Sequence, residues 1–571
     1  ADGMVAKIPL RHGETDTASF MAHGYDPDLA VWSPFHGAAY AVLLSVTRLV
    51  SMGADWRRAY LTLQEYFEKL TDASSWGKPA AALLGAYYMQ KVLGLGAIGG
   101  KDSMSGTFEN LHVPPTLVSF AIAPGKASEA VSQEWKESGS TLVLFGQPKD
   151  ANDMPDMDIF KAHADFLYRE VQAGHVRSMK AVGHGGLAVA AAEAAFGNRI
   201  GAVFNEAIPK SRYFGNFYGA ILVETDEASA QEWAKQPCVR IIGVTGGEDM
   251  KLFGETVSLD ELLKAYEAPL NDIFPIQAES STREIPGIPY FTPAVRSFAR
   301  VQAARPKVFI PVVPGNNCEV DSARAFERAG ADTDIFIVRN RDQAELAESV
   351  DEMVKRINEA QIVMIPGGFS AGDEPDGSGK FIAALFRNRK LEEAMEALLH
   401  RRDGLVLGIC NGFQALIKLG LVPYGEFKPL TGDAPTLTFN TIGRHLSRYV
   451  TTKVVSVKSP WLALTKPGDL HSIAISHGEG RFIASPEQIR AWAANGQIAT
   501  QYTDELGHAS YDSTFNPNES VWAVEGITSP DGRVLGKMGH SERRGDNIAK
   551  NISGEKYQPL FAAGVRYFTG K

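Results

Sequence analysis

Cysteine is scarce in this sequence. Three cysteines, Cys238, Cys318 and Cys410, occur among 571 residues. An odd and sparse set excludes a disulfide framework and is typical of a reducing cytosol, so a cytoplasmic location is expected. No Cys-x-x-Cys pair and no Cys/His cluster has the spacing of a zinc site.

Long apolar runs and an excess of positive charge are also lacking. No stretch of about 18 consecutive apolar residues occurs, which excludes a membrane-spanning helix. Lys and Arg number 57 against 67 Asp and Glu, which argues against a nucleic-acid partner bound through bulk charge. The first ten residues are no signal peptide, and they alternate like a strand already under way. We therefore expect the chain to be a piece of something longer.

Apolar residues are plentiful enough for several ordinary cores. They make up 44% of the chain, and charged residues make up 22%. The length predicts about three to five domains. The predicted division is an α+β or α/β unit at 1–130, a second such unit at 131–265, a linker at 266–305 and a final domain at 306–571. The linker is predicted from its several prolines and its lack of helical periodicity.

The final domain has the pattern of a doubly wound α/β fold. Short runs rich in Val and Ile are separated by helical stretches, for example at 322–331 and 344–360, and the runs themselves lie at 307–313, 334–339, 362–368 and 405–410. Buried strands that alternate with helices predict a parallel sheet. Ligands of such sheets bind beyond the carboxyl ends of the strands.

The clearest chemical motif surrounds Cys410. The sequence from Gly408 to Gly412 reads Gly-Ile-Cys-Asn-Gly, between a strand and a helix. This is the pattern of a nucleophile elbow that carries Cys in place of Ser. The following helix N-terminus favours the thiolate, so Cys410 is the predicted nucleophile rather than a buried structural cysteine.

A thiol nucleophile also needs a base and a group that orients the base. His540 and Glu542 follow a predicted strand near the C-terminus. On an extended segment, residues two apart point toward the same side. His540 is therefore the predicted base, and Glu542 is predicted to orient its imidazole.

The developing oxyanion requires backbone N–H donors. Gly367, Gly368 and Phe369 follow the strand at 362–366 and form the predicted donor loop, which belongs to the longer motif PGGFSAGD. The N–H of Asn411 is the second predicted donor.

Two other cysteines and one glycine-rich segment have competing interpretations. Cys318 is a rival nucleophile, interpreted as structural or adjacent to substrate, and Cys238 is predicted to pack at the start of a strand. The segment 94–99 matches G-x-G-x-x-G, but a helix precedes it, so a dinucleotide site is rejected. The following residues, Gly99 to Ser105, are either a nest for one phosphate or a solvated loop.

Taken together, these motifs resemble one family closely. The chain is similar to formylglycinamide ribonucleotide amidotransferase, also called phosphoribosylformylglycinamidine synthase, in its large single-chain form. The resemblance covers nearly the whole chain, and it is carried by LTLQEYFEKL, GGKDSMSGTF, VPPTLVSFA, PGNNCE, PGGFSAGD, GICNGFQALIKLGLVP, SHGEGRF and NPNES.

The resemblance implies a class I glutamine amidotransferase domain after one half of an aminoimidazole ribonucleotide synthetase-like region. It implies that a Cys-His-Glu triad frees ammonia from glutamine, and that the complete enzyme uses ATP and Mg²⁺ to convert formylglycinamide ribonucleotide to the amidine in purine biosynthesis. The family protein is about twice as long, so the missing N-terminal half is an implied partner. The chain alone is expected to act at most as a glutaminase.

Carried over by position, the triad falls on Cys410, His540 and Glu542. Gln414 is implied to contact substrate glutamine. The substrate phosphate is implied to lie at Ser103, and the rest of that nucleotide site is implied to be formed by Gly100, Lys101 and Asp102.

The sequence departs from the family pattern at several positions. Some family members bind an auxiliary nucleotide through a metal, but here Arg48 and Ala181 replace expected ligands and only Asp2 remains as a candidate. No cofactor is therefore assigned to this chain itself. Ser541 replaces a proline beside the triad, and Glu519 replaces a glycine, which predicts a somewhat different loop conformation there.

Two alternatives remain open from the sequence. One is another hydrolase with an elbow cysteine, such as a peptidase or a small-aldehyde hydrolase, because fold alone does not determine function. The other is a regulatory fragment without catalysis.

Overall fold

The chain forms two compact units in a computed structural model that describes residues 2–10, 13–281, 283–295, 298–370, 379–546 and 548–570. Unit 1 is Ala1–Pro269 and unit 2 is Leu270–Lys571. Within the described residues, no helix combines the length and the apolar character needed to cross a membrane.

Unit 1 begins with a five-stranded sheet in the order β1-β2-β7-β3-β4. Its strands, together with the small hairpin β5–β6, are β1 (Gly3–Lys7), β2 (Thr17–Gly24), β3 (Tyr60–Tyr66), β4 (Ala97–Lys101), β5 (Thr107–Phe108), β6 (Leu111–His112) and β7 (Thr116–Lys126). Only the β3–β4 pair is parallel. This layout is α+β.

Three helices cover one face of this sheet: α1 (Pro27–Trp32), α2 (Pro34–Ser51) and α3 (Ala73–Leu93). Ser33 caps the N-terminus of α2, and Pro34 follows it at the first helical position, where a missing N–H costs nothing. Nearly all of α2 is buried, because it lies between the sheet and α3. A capping box of Asp72 and Ser75 begins α3, and Gly94 ends it with φ of 72°.

A second, seven-stranded sheet completes unit 1, in the order β14-β13-β10-β12-β8-β11-β9. Its strands are β8 (Thr141–Phe145), β9 (Ser178–Ala181), β10 (Ala202–Phe204), β11 (Ile221–Thr225), β12 (Val239–Thr245), β13 (Asp249–Leu252) and β14 (Glu255–Ser258). The helices are α4 (Met157–Gln172), α5 (Gly186–Phe196), α6 (Lys210–Phe214), α7 (Glu227–Trp233) and α8 (Leu259–Asn271). One apolar core joins residues of both sheets, for example Leu61, Ala121 and Val143.

Unit 2 is built on a nine-stranded sheet in the order β16-β15-β17-β18-β25-β24-β23-β20-β21. Its strands, with the small β19–β22 pair, are β15 (Lys307–Val312), β16 (Asp332–Ile337), β17 (Ile362–Ile365), β18 (Leu405–Ile409), β19 (Thr436–Thr438), β20 (Leu446–Val454), β21 (Leu470–His477), β22 (Arg481–Ile483), β23 (Ile498–Thr503), β24 (Val524–Thr528) and β25 (Val534–Lys537). The pairs from β16 through β25 are parallel, and the pairs from β25 to β21 are antiparallel.

The helices of unit 2 connect and cover this sheet. They are α9 (Glu319–Arg328), α10 (Gln343–Glu359), α11 (Lys380–Phe386), α12 (Arg389–Glu396), α13 (Asn411–Leu419), α14 (Leu421–Tyr424), α15 (Pro486–Ala494) and α16 (Leu560–Thr569). The four predicted strands of this domain correspond to β15–β18 and pair in parallel, so the α/β fold class is confirmed. The antiparallel half of the sheet is an addition that the sequence pattern did not predict.

Candidate active site

Cys410 occupies a strained turn between β18 and α13. Its φ is 52° and its ψ is −106°, a conformation that L-residues rarely adopt and that is concentrated at functional sites. Its N–H donates to Lys537 O at 2.9 Å. A Cβ on Gly412 would lie 2.0 Å from Ile365 O, and one on Gly408 would lie 2.7 Å from Gly412 O. The two flanking glycines are therefore required by close backbone packing, as the elbow motif predicts.

His540 and Glu542 lie just after β25, the strand paired with β18. Nδ1 of His540 is 2.6 Å from Oε1 of Glu542, and the two residues are 3% and 1% exposed. The N–H of His540 donates to Ala474 O at 2.8 Å. The imidazole is thus held by Glu542 through Nδ1 and by Ala474 through the backbone.

Electrostatics favour the charged form of this pair. Burial lowers the pKa of His540, but the charges of Glu542 and Cys410 and hydrogen bonds with the thiols of Cys318 and Cys410 outweigh it, so the pKa lies well above its usual value. Burial raises the pKa of Glu542, but the attraction of His540 outweighs it and the pKa is lowered. An imidazolium beside a thiol stabilises the thiolate that acts as nucleophile.

The glycine loop after β17 lies against the side chains of His540 and Cys410. A Cβ on Gly367 would lie 2.9 Å from His540 Cε1 and 3.5 Å from Cys410 Cβ. Gly368 has φ of 143°, and the N–H of Phe369 donates to Gly315 O at 2.8 Å. The Phe369 amide is therefore already paired in this conformation. The predicted loop PGGFSAGD continues into residues 371–373, which lie outside the described residues.

Gln414 is buried on the first turns of α13 and bonds within the protein. Its Nε2 donates to Glu479 O at 2.7 Å, and its Oε1 accepts from Asn411 Nδ2 at 3.0 Å. Asn411 Oδ1 in turn accepts from the N–H of Ser370 at 3.3 Å. These bonds tie the elbow to the donor loop and to the segment after β21.

Cys318 lies in the same site, although it is not part of a nucleophile elbow. Its Sγ is 3.9 Å from His540 Nδ1 and accepts from Arg543 Nη2 at 3.0 Å. The residue is fully buried. Cys238, by contrast, is exposed before β12, so the prediction that it packs in the interior is wrong.

Several residues of the site were not singled out from the sequence. They include Arg543, Ser476, whose carbonyl lies 3.7 Å from Cys410 Sγ, and His477, whose Nε2 is 3.3 Å from Asn518 Nδ2. Burial, with the nearby charges of His540 and His445, lowers the pKa of His477 to about 3. The motifs SHGEGRF and NPNES contained the signal, because they hold His477 and Asn518, but no spacing rule connects them.

Glu519 keeps the backbone that glycine favours. Its φ is 56°, and its carboxylate pairs with Arg481 and Arg283, each at 3.2 Å. Two ion pairs thus accompany a left-handed backbone at Glu519, and the predicted difference in loop conformation stays a prediction.

The candidate phosphate segment of unit 1 is exposed. Gly100 and Lys101 end β4, and Asp102 and Ser103 follow it. Ser103 Oγ lies 3.2 Å from Ser105 Oγ, and the backbone N–H of Ser103 donates to Glu65 O at 3.0 Å. One ammonium and two hydroxyls fit a phosphate. The negative charge of the Asp102 carboxylate would repel a phosphate. Burial raises the pKa of nearby Glu65, and the charge of Asp102 raises it further.

Asp2 does not fit a metal ion in this structure. Its carboxylate pairs with Arg48 at 3.1 Å and with the buried Lys180. Lys180 also pairs with Glu193 at 2.7 Å and bonds Gln133 at 2.8 Å. The cationic side chains of Arg48 and Lys180 therefore lie beside Asp2, where a Mg²⁺ site would need further oxygen ligands.

Two family profiles match the chain. The CobB/CobQ-like glutamine amidotransferase domain matches residues 305–568, which include the whole candidate site. The AIR synthase related protein, C-terminal domain, matches residues 127–252 of unit 1.

Two relatives with similar sequences carry the same name. The phosphoribosylformylglycinamidine synthase subunit PurQ of Methanococcus maripaludis (strain C5) is 34% identical over 244 residues, which are 42% of this chain and 83% of that protein. The subunit of the same name from Symbiobacterium thermophilum is 32% identical over 262 residues, which are 46% of this chain and 97% of that protein.

Two of the similar solved structures come from Thermotoga maritima. Its PurLQS structure has a TM-score of 0.33 and 24% identity, covering 46% of this chain and 99% of that one. Its PurL complexed with FGAR has a TM-score of 0.39 and 15% identity, covering 52% of this chain and 51% of that one.

Proposed function

The chain belongs to the phosphoribosylformylglycinamidine synthase family, and from this we propose that unit 2 hydrolyses glutamine to glutamate and ammonia. The observation that carries the proposal is the strained Cys410 elbow beside the buried His540–Glu542 pair, joined at 2.6 Å. A peptidase or aldehyde hydrolase is not favoured, since the relatives share this domain over most of their length.

In this mechanism Cys410 is the nucleophile. Its thiolate forms a bond to the amide carbon of glutamine, and the carbonyl oxygen becomes an oxyanion. The N–H groups of Gly368 and Asn411 are the proposed donors to that oxyanion, because the N–H of Phe369 is bonded to Gly315 O. Such donors stabilise charge that develops in the transition state.

His540 transfers the protons. Its imidazolium donates the Nε2 proton to the departing nitrogen, and ammonia leaves as the thioester forms. The neutral imidazole then accepts a proton from water, whose oxygen attacks the thioester carbon and expels the Cys410 thiolate. Glu542 holds Nδ1–H throughout, which keeps Nε2 directed to the reaction.

In the complete enzyme, the ammonia is proposed to serve ATP-dependent conversion of formylglycinamide ribonucleotide to its amidine. Lys101 and Ser103 are the proposed phosphate contacts of unit 1. ATP with Mg²⁺ would activate the formyl-amide oxygen, and Asp2 is not proposed as its metal ligand because Arg48 and Lys180 neutralise it.

A second synthetase half is the proposed partner of unit 1. The face of the five-stranded sheet turned away from α2 carries a row of apolar side chains across neighbouring strands, Met4, Met21, Ile122 and Tyr60. Met4 and Tyr60 are 55% and 53% exposed. Exposed apolar faces of this kind mark interaction surfaces.

The experiment that tests the glutaminase treats the chain with an electrophilic glutamine analogue and maps the modified residue by mass spectrometry. We expect label on Cys410 that glutamine competes away. Replacing this nucleophile, Cys410→Ala, should reduce glutamine hydrolysis by at least about 1000-fold while sparing ammonia-dependent synthesis once the second half is supplied.

The exposed Cys238→Ala is the matched control and should leave labelling and hydrolysis unchanged. Label on Cys318 in place of Cys410, or peptide hydrolysis without glutamine hydrolysis, would overturn the proposal.

A further inference from the structure

A buried ion pair lies directly behind the catalytic histidine. Lys537 is the last residue of β25 and Glu525 belongs to the neighbouring β24. Nζ of Lys537 is 3.3 Å from Oε1 of Glu525, and their side chains are 1% and 0% exposed. No part of the mechanism described above uses either charge.

The pair forms hydrogen bonds with the residues on both sides of His540. Lys537 Nζ donates to Gly539 O at 2.8 Å and to Ser541 Oγ at 2.9 Å. Glu525 Oε1 accepts from the N–H of Gly539 at 2.7 Å. Both backbone polar groups of Gly539 are thus bonded to the pair, and His540 is held between two anchored neighbours.

The anchoring extends to further buried groups. Thr500 Oγ1 donates to Glu525 Oε2, and Ser541 Oγ donates to Gln558 Oε1 at 2.8 Å. The backbone carbonyl of Lys537 accepts from the N–H of Cys410. One residue therefore bonds the nucleophile through its backbone and the segment of the base through its side chain.

Gly539 itself is adapted to this pair. A Cβ at this position would lie 2.9 Å from Glu525 Oε1 and 3.2 Å from Lys537 Nζ. Ser541 also belongs to this network, because its hydroxyl is hydrogen-bonded to both Lys537 and Gln558. A proline at this position would have no such group.

A contribution to stability does not by itself account for the pair. Removing two charges from water costs as much as their attraction returns, and buried ion pairs can often be replaced by apolar residues without loss of stability. We infer that Lys537 and Glu525 are positioning residues that fix the main chain of Gly539–Ser541 and so aim His540 at Cys410. This inference rests on the proposed glutaminase function and deepens it.

The test compares single and double replacements in the full chain. Lys537→Met alone leaves Glu525 buried and unpaired, so we expect a lower melting temperature and lower activity. The double variant Lys537→Met/Glu525→Leu removes both charges, and we expect it to recover part of the melting temperature that Lys537→Met loses, the rest being lost because the polar groups of Gly539 no longer have these partners.

Activity separates positioning from mere packing. In the double variant we expect kcat for glutamine hydrolysis to fall by roughly 100-fold, as a displacement of about 1 Å can cause, with little change in KM. The rate at which the glutamine analogue labels Cys410 should fall with it. Lys180→Met in unit 1, which also removes a buried lysine, is the matched control and should leave both rates unchanged.

Two other outcomes are distinguishable. A double variant that regains both stability and the original kcat overturns the positioning role while leaving the glutaminase intact. An original chain that neither hydrolyses glutamine nor is labelled at Cys410 overturns the proposed function, and the positioning role falls with it.

Discussion

At the scale of single residues, His477 combines deep burial with a position close to His540, the proposed base. Its side chain is one of three imidazoles in this region, with His540 and His445. A Cβ on Gly480 would lie 2.3 Å from its ring, so the backbone of Gly480 packs directly against the imidazole. Its charge state is therefore tied to folding.

Acid should weaken the fold through His477. Burial lowers its pKa to about 3 in the folded state from an ordinary value of 6.5, so the unfolded chain binds the proton more tightly between these values. Above pH 6.5 the ring is neutral in both states and the free energy of unfolding does not depend on it. As pH falls from 6.5 toward 3, the free energy of unfolding decreases by about 1.4 kcal/mol per pH unit.

Urea unfolding at pH 7 and pH 4.5 measures this effect. The loss of unfolding free energy between the two pH values should be smaller in His477→Gln than in the original chain, and unchanged in the exposed control His508→Gln. Equal losses in all three proteins would contradict the assignment.

At the scale of elements, the elbow depends on how closely α13 approaches β17. Gly412→Ala would place a Cβ 2.0 Å from Ile365 O, so the helix start must move away from the strand. We expect a fall in melting temperature of several degrees and loss of Cys410 labelling. Differential scanning fluorimetry and mass spectrometry measure the two effects.

Gly432→Ala is the matched control, because nothing lies within 4 Å of a Cβ there. It should change neither quantity. A stable Gly412→Ala variant that is still labelled would show that the elbow tolerates a side chain.

The strands that could be predicted from the sequence are those with a clear apolar pattern. β15, β17 and β18 are short buried runs, and their burial in a parallel sheet makes them apolar throughout. β20 and β21 alternate between buried and half-buried positions, and their pairing was not predicted. In unit 1, β10 has three residues and β4 is exposed along its length, so neither carries a clear apolar pattern.

The candidate site was likewise predictable only where a local sequence motif marks its residues. Cys410 is marked by its own glycines, and His540 and Glu542 are marked by their spacing. Arg543 approaches Cys318 at 3.0 Å across 225 positions of sequence, and the Lys537–Glu525 pair joins two strands. Such contacts depend on tertiary pairing, which no local pattern encodes. The domain bounds at 130, 265 and 305 remain predictions.

At the scale of the whole molecule, unit 2 has a core of its own. Its main apolar cluster draws on residues between Ala299 and Phe568. A chain of residues 270–571 should therefore fold by itself, with one cooperative thermal transition and with Cys410 labelled by the glutamine analogue. Residues 1–269 should show no labelling under the same conditions.

Calorimetry and mass spectrometry on the separate pieces check this expectation. An unfolded 270–571 chain would contradict it. A folded but unlabelled one would show that the glutamine site is completed by residues outside unit 2.

The pairing of β18 with β25 also bears on biosynthesis. Ile409 and Lys537 are partners in the sheet, although residues 410–536 are translated between them. On the ribosome the thiol of Cys410 emerges long before its histidine exists. The proposed pair of thiol and imidazole is assembled only when β25 inserts between β18 and β24, so the nucleophile gains its base at the end of synthesis of this domain.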